Sequence, residues 1–138
     1  MIVSARVSNS RGAHHVTLRT DDNTHTIDIP PKATGFGSSA NGGELLFLAL
    51  ATCYCNDIYR EAERMGIEVR QVEVEVTGEF GGPGEPAANI AYSARVAASA
   101  SDEQIRELMA HTDTVAEIQN TLRAGTSVTL SHIEAVAV

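Results

Sequence analysis

One segment, from Leu45 to Cys55, constrains the fold of this chain more than any other feature. It reads as the first half of a helix that is apolar on every side, so it has to be covered all round by other parts of the protein. The chain has 138 residues, which suffices for one domain with a core but leaves little structure to enclose a helix. We therefore expect a single domain over residues 1–138 and a second copy of the chain against the remaining helix surface.

The ends of this helix can be placed from its capping residues. Asn41 is a favourable N-cap, and Glu44 follows three residues later, as in a capping box. Gly66 is a favourable residue for the C-terminal end. The second half of the helix is polar and is expected to emerge into water.

Strand-like alternation occurs on both sides of the helix. The first thirty residues predict a three-stranded meander, and residues 72–76 and 90–96 predict a hairpin. Two short helices follow, the second of them capped by Thr114 and Glu117, and residues 128–138 predict a last strand. This order predicts an α+β protein with antiparallel sheets packed around the long helix.

Composition and charge exclude several functions. The net charge is −8, Lys32 is the only lysine, and the arginines are scattered, which disfavours binding to nucleic acid or to an anionic membrane surface. The longest apolar run, residues 45–51, is too short to cross a bilayer. Neither a signal peptide nor a disulfide framework is indicated, so we expect a cytoplasmic protein.

Cys53 is the residue on which the chemistry depends. A thiol inside an apolar helix usually behaves as a small hydrophobic group, and it becomes a nucleophile when a cation or dipole lowers its pKa. Asp57 and Arg60 lie on the same helical face. Asp57 would raise the pKa of the thiol, and Arg60 is expected to pair with Asp57. A reactive Cys53 would therefore need an arginine from elsewhere in the fold.

Cys55 is a poor partner for Cys53. Residues two apart on a helix point about 200° from each other, so a disulfide between them would require local unwinding. The sequence contains no spacing typical of metal ligands and no glycine-rich phosphate loop, so no metal and no cofactor are expected. We interpret Cys55 as a packed thiol.

Two stretches of the chain carry a family resemblance. The first is GELLFLALATC, from Gly43 to Cys53, followed by Arg60 and a GIEV exit into a strand. The second is NTLRAG, residues 120–125. With these stretches and its order of elements, the chain resembles the OsmC/Ohr family of osmotically inducible and organic-hydroperoxide-resistance proteins. The resemblance implies an OsmC-like fold and a domain-swapped homodimer in which two cysteine helices lie between two sheets.

The resemblance also implies catalytic residues. Cys53 matches the family's peroxidatic cysteine, and Arg11, in the first β-turn, best matches the arginine that holds it as a thiolate, with Arg19 as the alternative. The position of the family's catalytic glutamate falls on Gly43, one step before Glu44. With Glu44 taken as the glutamate in spite of this one-residue offset, the implied catalytic set is Cys53, Arg11 and Glu44.

The family's second cysteine is missing from this chain. It would lie near Thr114, where the sequence has no cysteine. The expected function is therefore reduction of organic hydroperoxides by Cys53, with an external thiol to complete the cycle. The alternative is a non-catalytic OsmC-like protein that binds a small hydrophobic ligand at the dimer interface.

Overall fold

The computed structural model describes residues 1–138. The chain divides into two compact units, Met1–Leu46 and Phe47–Val138. Each unit has its own antiparallel sheet, three-stranded in the first and two-stranded in the second. The mixed α+β class with antiparallel sheets is confirmed, whereas a single domain over the whole chain stays a prediction.

The first unit is built on the predicted meander. Its strands are β1 (Val3–Ser10), β2 (Ala13–Thr20) and β3 (Asn23–Thr26), hydrogen-bonded in that order. The turn between β1 and β2 contains Gly12 at a φ of +72°, a backbone conformation that favours glycine. The third strand ends at Thr26, so Ile27 and Ile29, which belong to the first thirty residues assigned to the meander, lie outside it.

Helix α1 (Gly42–Met65) begins and ends where the capping residues predict. The Glu44 N–H donates to Asn41 Oδ1 at 2.8 Å, and the Asn41 N–H donates to Glu44 Oε1 at 2.9 Å. These two bonds form a capping box, which satisfies backbone donors that a helix N-terminus leaves unpaired. Gly66 follows the helix with a φ of +68°, as expected of a C-terminal glycine.

The second unit packs a hairpin and two helices around the rest of α1. Its remaining elements are β4 (Glu68–Glu79), β5 (Ala88–Ser99), α2 (Asp102–Val115) and α3 (Glu117–Arg123). The core contains Tyr54, Ile58, Ala62, Ile67 and Leu108. None of the helices is both long enough and apolar enough to span a membrane.

The expected burial of α1 is corrected in its polar half, whereas its apolar half is open on one side, as expected of one chain without a second copy. Leu48, in the apolar half, is 57% exposed, because a single chain does not cover that side of the helix. In the polar half, Asp57 and Glu61 are buried, although that half was expected to emerge into water. Arg60 lies between these two carboxylates and compensates their charge, which makes their burial tolerable.

The predicted cap of α3 is wrong. Thr114 lies in the last turn of α2, and its hydroxyl donates to the carbonyl of His111 at 2.6 Å. The N-cap of α3 is Ala116, which offers no side-chain acceptor. Glu117 is thereby left free to point toward α1.

The predicted last strand does not form. Residues 128–138 have no regular structure, and each of their large apolar side chains is at least 75% exposed. A strand needs a neighbour to accept and donate its backbone hydrogen bonds, and this segment has none within its own chain.

Candidate functional site

Cys53 lies in a polar cluster formed by α1 and the start of α3. Its Sγ atom is 3.6 Å from Asp57 Oδ2 and 3.9 Å from Glu117 Oε2, so the thiol can donate to either carboxylate. Asp57 is one helical turn after Cys53 and therefore shares its face. The backbone N–H of Ile118 is near enough to the sulfur to lower the pKa of the thiol.

Arg60 binds the carboxylates of this cluster. Its Nη1 atom lies 2.6 Å from Glu117 Oε1 and 3.0 Å from Asp57 Oδ1. Its Nε atom donates to Glu61 Oε1 at 2.8 Å. The guanidinium is thus used by three carboxylates, which confirms that Arg60 pairs with Asp57 and not with the thiol.

Glu61 extends the network to a second helix. Its side chain is only 4% exposed, and its Oε2 atom lies 3.1 Å from His111 Nε2 and 3.7 Å from Arg64 Nη1. The hydrogen bond from Arg60 holds the pKa of Glu61 below its usual range. An ionised Glu61 fixes the orientation of the Arg60 guanidinium.

The environment of Cys53 favours the neutral thiol. Burial raises the pKa of Cys53, and the negative charge of Asp57 raises it further, whereas the nearby Ile118 N–H lowers it. The predicted effect of Asp57 is confirmed, with burial as the larger cause. Within this unit, no unpaired cation opposes these effects.

Asp57 and Glu117 titrate as a pair. Burial and the neighbouring Glu117 carboxylate raise the pKa of Asp57, whereas the hydrogen bonds from Asp57 and Arg60 lower the pKa of Glu117. Below a pH of about 6 a proton therefore resides on Asp57, the more buried of the two side chains, and above that pH both carboxylates are charged. Glu117 keeps its charge against Arg60.

The raised pKa of Asp57 predicts a pH-dependent effect of Asp57→Asn on stability. A carboxyl group with a raised folded-state pKa stabilises the folded state below that pKa and loses this contribution as pH rises through it. Asparagine stays neutral and keeps an N–H donor toward Glu117. We expect the difference in free energy of unfolding, variant minus wild type, to rise by at least about 1 kcal/mol from pH 4 to pH 7.

Urea titrations at a series of pH values test this expectation. Asp22→Asn is the matched control, since Asp22 is fully exposed and its nearest cation, Arg19, lies 4.0 Å away. A difference between Asp57→Asn and wild type that stays constant with pH, or that falls as pH rises, would contradict the assignment of the proton to Asp57.

Cys53, Asp57 and Glu117 are arranged as metal ligands would be, but the guanidinium of Arg60 lies where a metal ion would bind. Donor atoms of Cys53, Asp57 and Glu117 lie within 4.8 Å of one another. A cation would have to displace the guanidinium, which is already 3.0 Å or less from both carboxylates. We therefore describe the cluster as an ion-pair network around a thiol.

The other residues predicted from the sequence have separate surroundings. Arg11 lies in the first unit, where its guanidinium stacks on the ring of Phe36 at 4.9 Å and forms no ion pair. Glu44 caps α1. Cys55 carries a free thiol and lines a shallow depression next to Val74. The contacts of Cys53 described above all come from its own unit.

Sequence reasoning missed Glu117. It was interpreted as the third residue of a helical cap, because a threonine precedes it at the right spacing. Its contact with Cys53 joins positions 64 residues apart. No local pattern signals such a contact.

Comparisons with known proteins agree on the family and the fold. Residues 35–131 match the family model described as OsmC-like protein. An OsmC-like protein from Mycoplasma pneumoniae superposes with a TM-score of 0.60 at 21% identity, covering 87% of each chain. None of the curated proteins with which the sequence was compared matches it.

Two further structures have names that describe a function. An organic hydroperoxide resistance protein OsmC from Legionella pneumophila has a TM-score of 0.58 at 20% identity, covering 89% of this chain and 90% of its own. The organic hydroperoxide resistance protein OhrB of Bacillus subtilis has a TM-score of 0.52 at 21% identity, covering 87% and 90%. At these identities the likeness shows the fold alone.

Proposed function

Because this chain belongs to the OsmC-like protein family, we propose that it reduces organic hydroperoxides through the thiol of Cys53. One observation carries the proposal: Cys53 Sγ lies 3.6 Å from Asp57 Oδ2 and 3.9 Å from Glu117 Oε2, two carboxylates that can take its proton. The names of the similar proteins from Legionella pneumophila and Bacillus subtilis support the choice of substrate class.

The first step oxidises the thiol by two electrons. The sulfur attacks the terminal oxygen of the hydroperoxide, an S–O bond forms and the O–O bond breaks, which gives a sulfenic acid and an alcohol. The thiol proton passes to the pair formed by Asp57 and Glu117 and returns to the leaving alkoxide. The carboxylates thus act as a base, although their charge disfavours a resting thiolate.

The second step needs a thiol from outside the chain. An external thiol condenses with the sulfenic acid, releasing water and leaving a mixed disulfide, which a second thiol reduces. Cys55 is on the same helix and points away from Cys53. We also propose a cytoplasmic location, where such thiols are kept reduced.

Arg11 and Glu44 are proposed as the remaining catalytic residues, with Arg19 as the alternative arginine. The Arg11 guanidinium forms no ion pair and is available to an anionic group. A cation brought to Cys53 would lower the pKa of the thiol and polarise the peroxide. We expect Arg11→Ala to slow peroxide reduction for this reason.

We propose a domain-swapped homodimer as the working form. Leu48 is exposed on one side of α1, and the apolar residues of the segment 128–138 are exposed as well. A second copy of the chain could cover Leu48 and could supply the strand with which the segment 128–138 pairs. Both features have the chemistry of an interface.

A non-catalytic protein that binds a small hydrophobic ligand is the second candidate. The raised pKa of the Cys53 thiol favours it, and so does the engagement of Arg60 by three carboxylates. Neither feature increases the fraction of Cys53 that is present as the nucleophilic thiolate.

Titration of the thiols with a hydroperoxide distinguishes the two candidates. If the protein is a peroxidase, one equivalent of cumene hydroperoxide removes one thiol per chain and appears as the corresponding alcohol. Denatured protein is the control for intrinsic cysteine reactivity. Thiols that react no faster in the folded protein than in the denatured one would favour the non-catalytic candidate.

A further inference from the structure

Arg11 and Phe36 form a cation–π contact in the first unit. Arg11 is the first residue of the two-residue turn between β1 and β2, and Phe36 lies in the loop that leads to α1. The Cζ atom of the guanidinium lies over the ring, 4.9 Å from its centre. Phe36 is 60% exposed, so packing in a core does not account for the position of its ring.

A hydrogen bond joins the same two segments next to this contact. The backbone N–H of Gly37 donates to Asn9 Oδ1 at 2.9 Å. Asn9 precedes Arg11 by two residues, and Gly37 directly follows Phe36. The amide of Asn9 is held in turn by His14, whose Nδ1 atom lies 3.0 Å from Asn9 Nδ2. The turn that carries Arg11 is thus joined to the loop by two neighbouring contacts.

The backbone of the loop sets the position of Phe36. The N–H of Lys32 donates to the carbonyl of Gly37 at 3.0 Å, and Pro31 and Ser38 form an antiparallel bridge. Gly37 has a φ of +101°, a conformation that favours glycine. These contacts close the loop around the residue that carries the ring.

Stacking on a ring leaves the hydrogen-bond donors of an arginine free. A guanidinium is planar, and its five N–H groups point outward in that plane, whereas an aromatic ring contacts its face. Arg11 forms no ion pair within the chain. An anionic group can therefore bind at the edge of the Arg11 guanidinium while Phe36 keeps its face.

From these contacts we infer that Phe36 is a positioning residue for Arg11: its ring holds one face of the guanidinium and leaves the N–H donors at the edge available to the Cys53 sulfur and the hydroperoxide. The inference rests on the proposed function, in which Arg11 serves Cys53. A long side chain that is held in place before it binds loses less conformational entropy on binding. Removing the ring is thus expected to weaken the effect of Arg11 without abolishing it.

The pH dependence of Cys53 alkylation tests this inference without requiring peroxide turnover. Cys55→Ser protein is the parent, because Cys53 is then the only thiol of the chain, and iodoacetamide reacts with the thiolate. At pH 7 we expect Phe36→Leu to slow alkylation about threefold, the size of one exposed cation–π contact. Arg11→Ala should slow it at least about tenfold. Both substitutions should move the pH profile toward higher pH.

Three further variants separate positioning from the loss of an exposed ring. Phe36→Tyr keeps an aromatic face and should alkylate like the parent. Phe80 is 52% exposed and stacks on Phe47, so Phe80→Leu removes a ring that holds no cation and should leave the profile unchanged. In Arg11→Ala protein, Phe36→Leu should have no further effect, because the ring acts through the guanidinium.

The outcomes distinguish this inference from the proposed function. Slower alkylation in Arg11→Ala with no change in Phe36→Leu would overturn the positioning role and leave the proposed function standing. A loss in Phe36→Leu that is equally large without Arg11 would also overturn the positioning role. An unchanged profile in Arg11→Ala would overturn the roles of both residues. If the expected shifts occur in a protein that reduces no hydroperoxide, the positioning role stands and the proposed function fails.

Discussion

Replacing Cys53 with serine is expected to abolish the consumption of cumene hydroperoxide, whereas replacing Cys55 with serine is expected to leave the rate unchanged within about twofold. A serine hydroxyl beside Asp57 and Glu117 is far too weak a nucleophile to attack the O–O bond and forms no counterpart of a sulfenic acid, so the loss should be complete. Cys55 has no contact with this cluster. The two substitutions are chemically identical and only two positions apart, which makes each the control for the other.

Turnover is measured with a small thiol as reductant and with the alcohol product as readout. Far-ultraviolet circular dichroism shows whether both variants are folded. Residual activity in Cys53→Ser, or a comparable loss in Cys55→Ser, would contradict the assignment of Cys53 as the nucleophile.

Leu130→Asp is expected to weaken the proposed homodimer by at least about a hundredfold in its dissociation constant. Leu130 is 79% exposed in the single chain, so the substitution would be harmless there. In a dimer that pairs the segment 128–138 with another strand, Leu130 would be covered by apolar side chains, and a buried aspartate would be strongly unfavourable. Sedimentation velocity over a range of protein concentrations measures the effect.

Thr129→Asp is the matched control for Leu130→Asp. Neighbouring residues of a strand point to opposite faces, so the charge at position 129 should remain in water. Equal behaviour of the two variants would contradict strand pairing of this segment. A folded wild-type monomer at micromolar concentration would contradict the dimer itself.

Local features of the fold were predictable from the sequence. The capping box of Asn41 and Glu44 and the C-terminal glycine at Gly66 involve residues close in the chain, and α1 has the predicted bounds. The alternation of β4 also predicted its half-buried valines. These signals depend on spacing alone, which a sequence displays directly.

The surroundings of Cys53 were only partly predictable. Its contact with Asp57 follows from helical spacing, but Glu117 comes from another helix, and its position depends on how α3 follows α2. The burial of Asp57 and Glu61 was missed for a similar reason. Polar residues in a helix predict exposure unless partners such as Arg60 are known to cover them.

The segment 128–138 shows a different limit of prediction from sequence. Its apolar alternation is typical of a strand, yet within one chain it has no regular structure. Strand propensity depends on packing against neighbouring strands. A pattern in the sequence therefore predicts a strand without saying which chain supplies its partner.

The oxidation state of Cys53 after one equivalent of hydroperoxide shows whether its thiol is the group that reduces the peroxide. Dimedone, which reacts with sulfenic acids, is present during the oxidation, and the digested protein is analysed by mass spectrometry. The prediction is a dimedone adduct on Cys53 and an unmodified thiol on Cys55. A disulfide between the two cysteines, or two unmodified thiols, would contradict it.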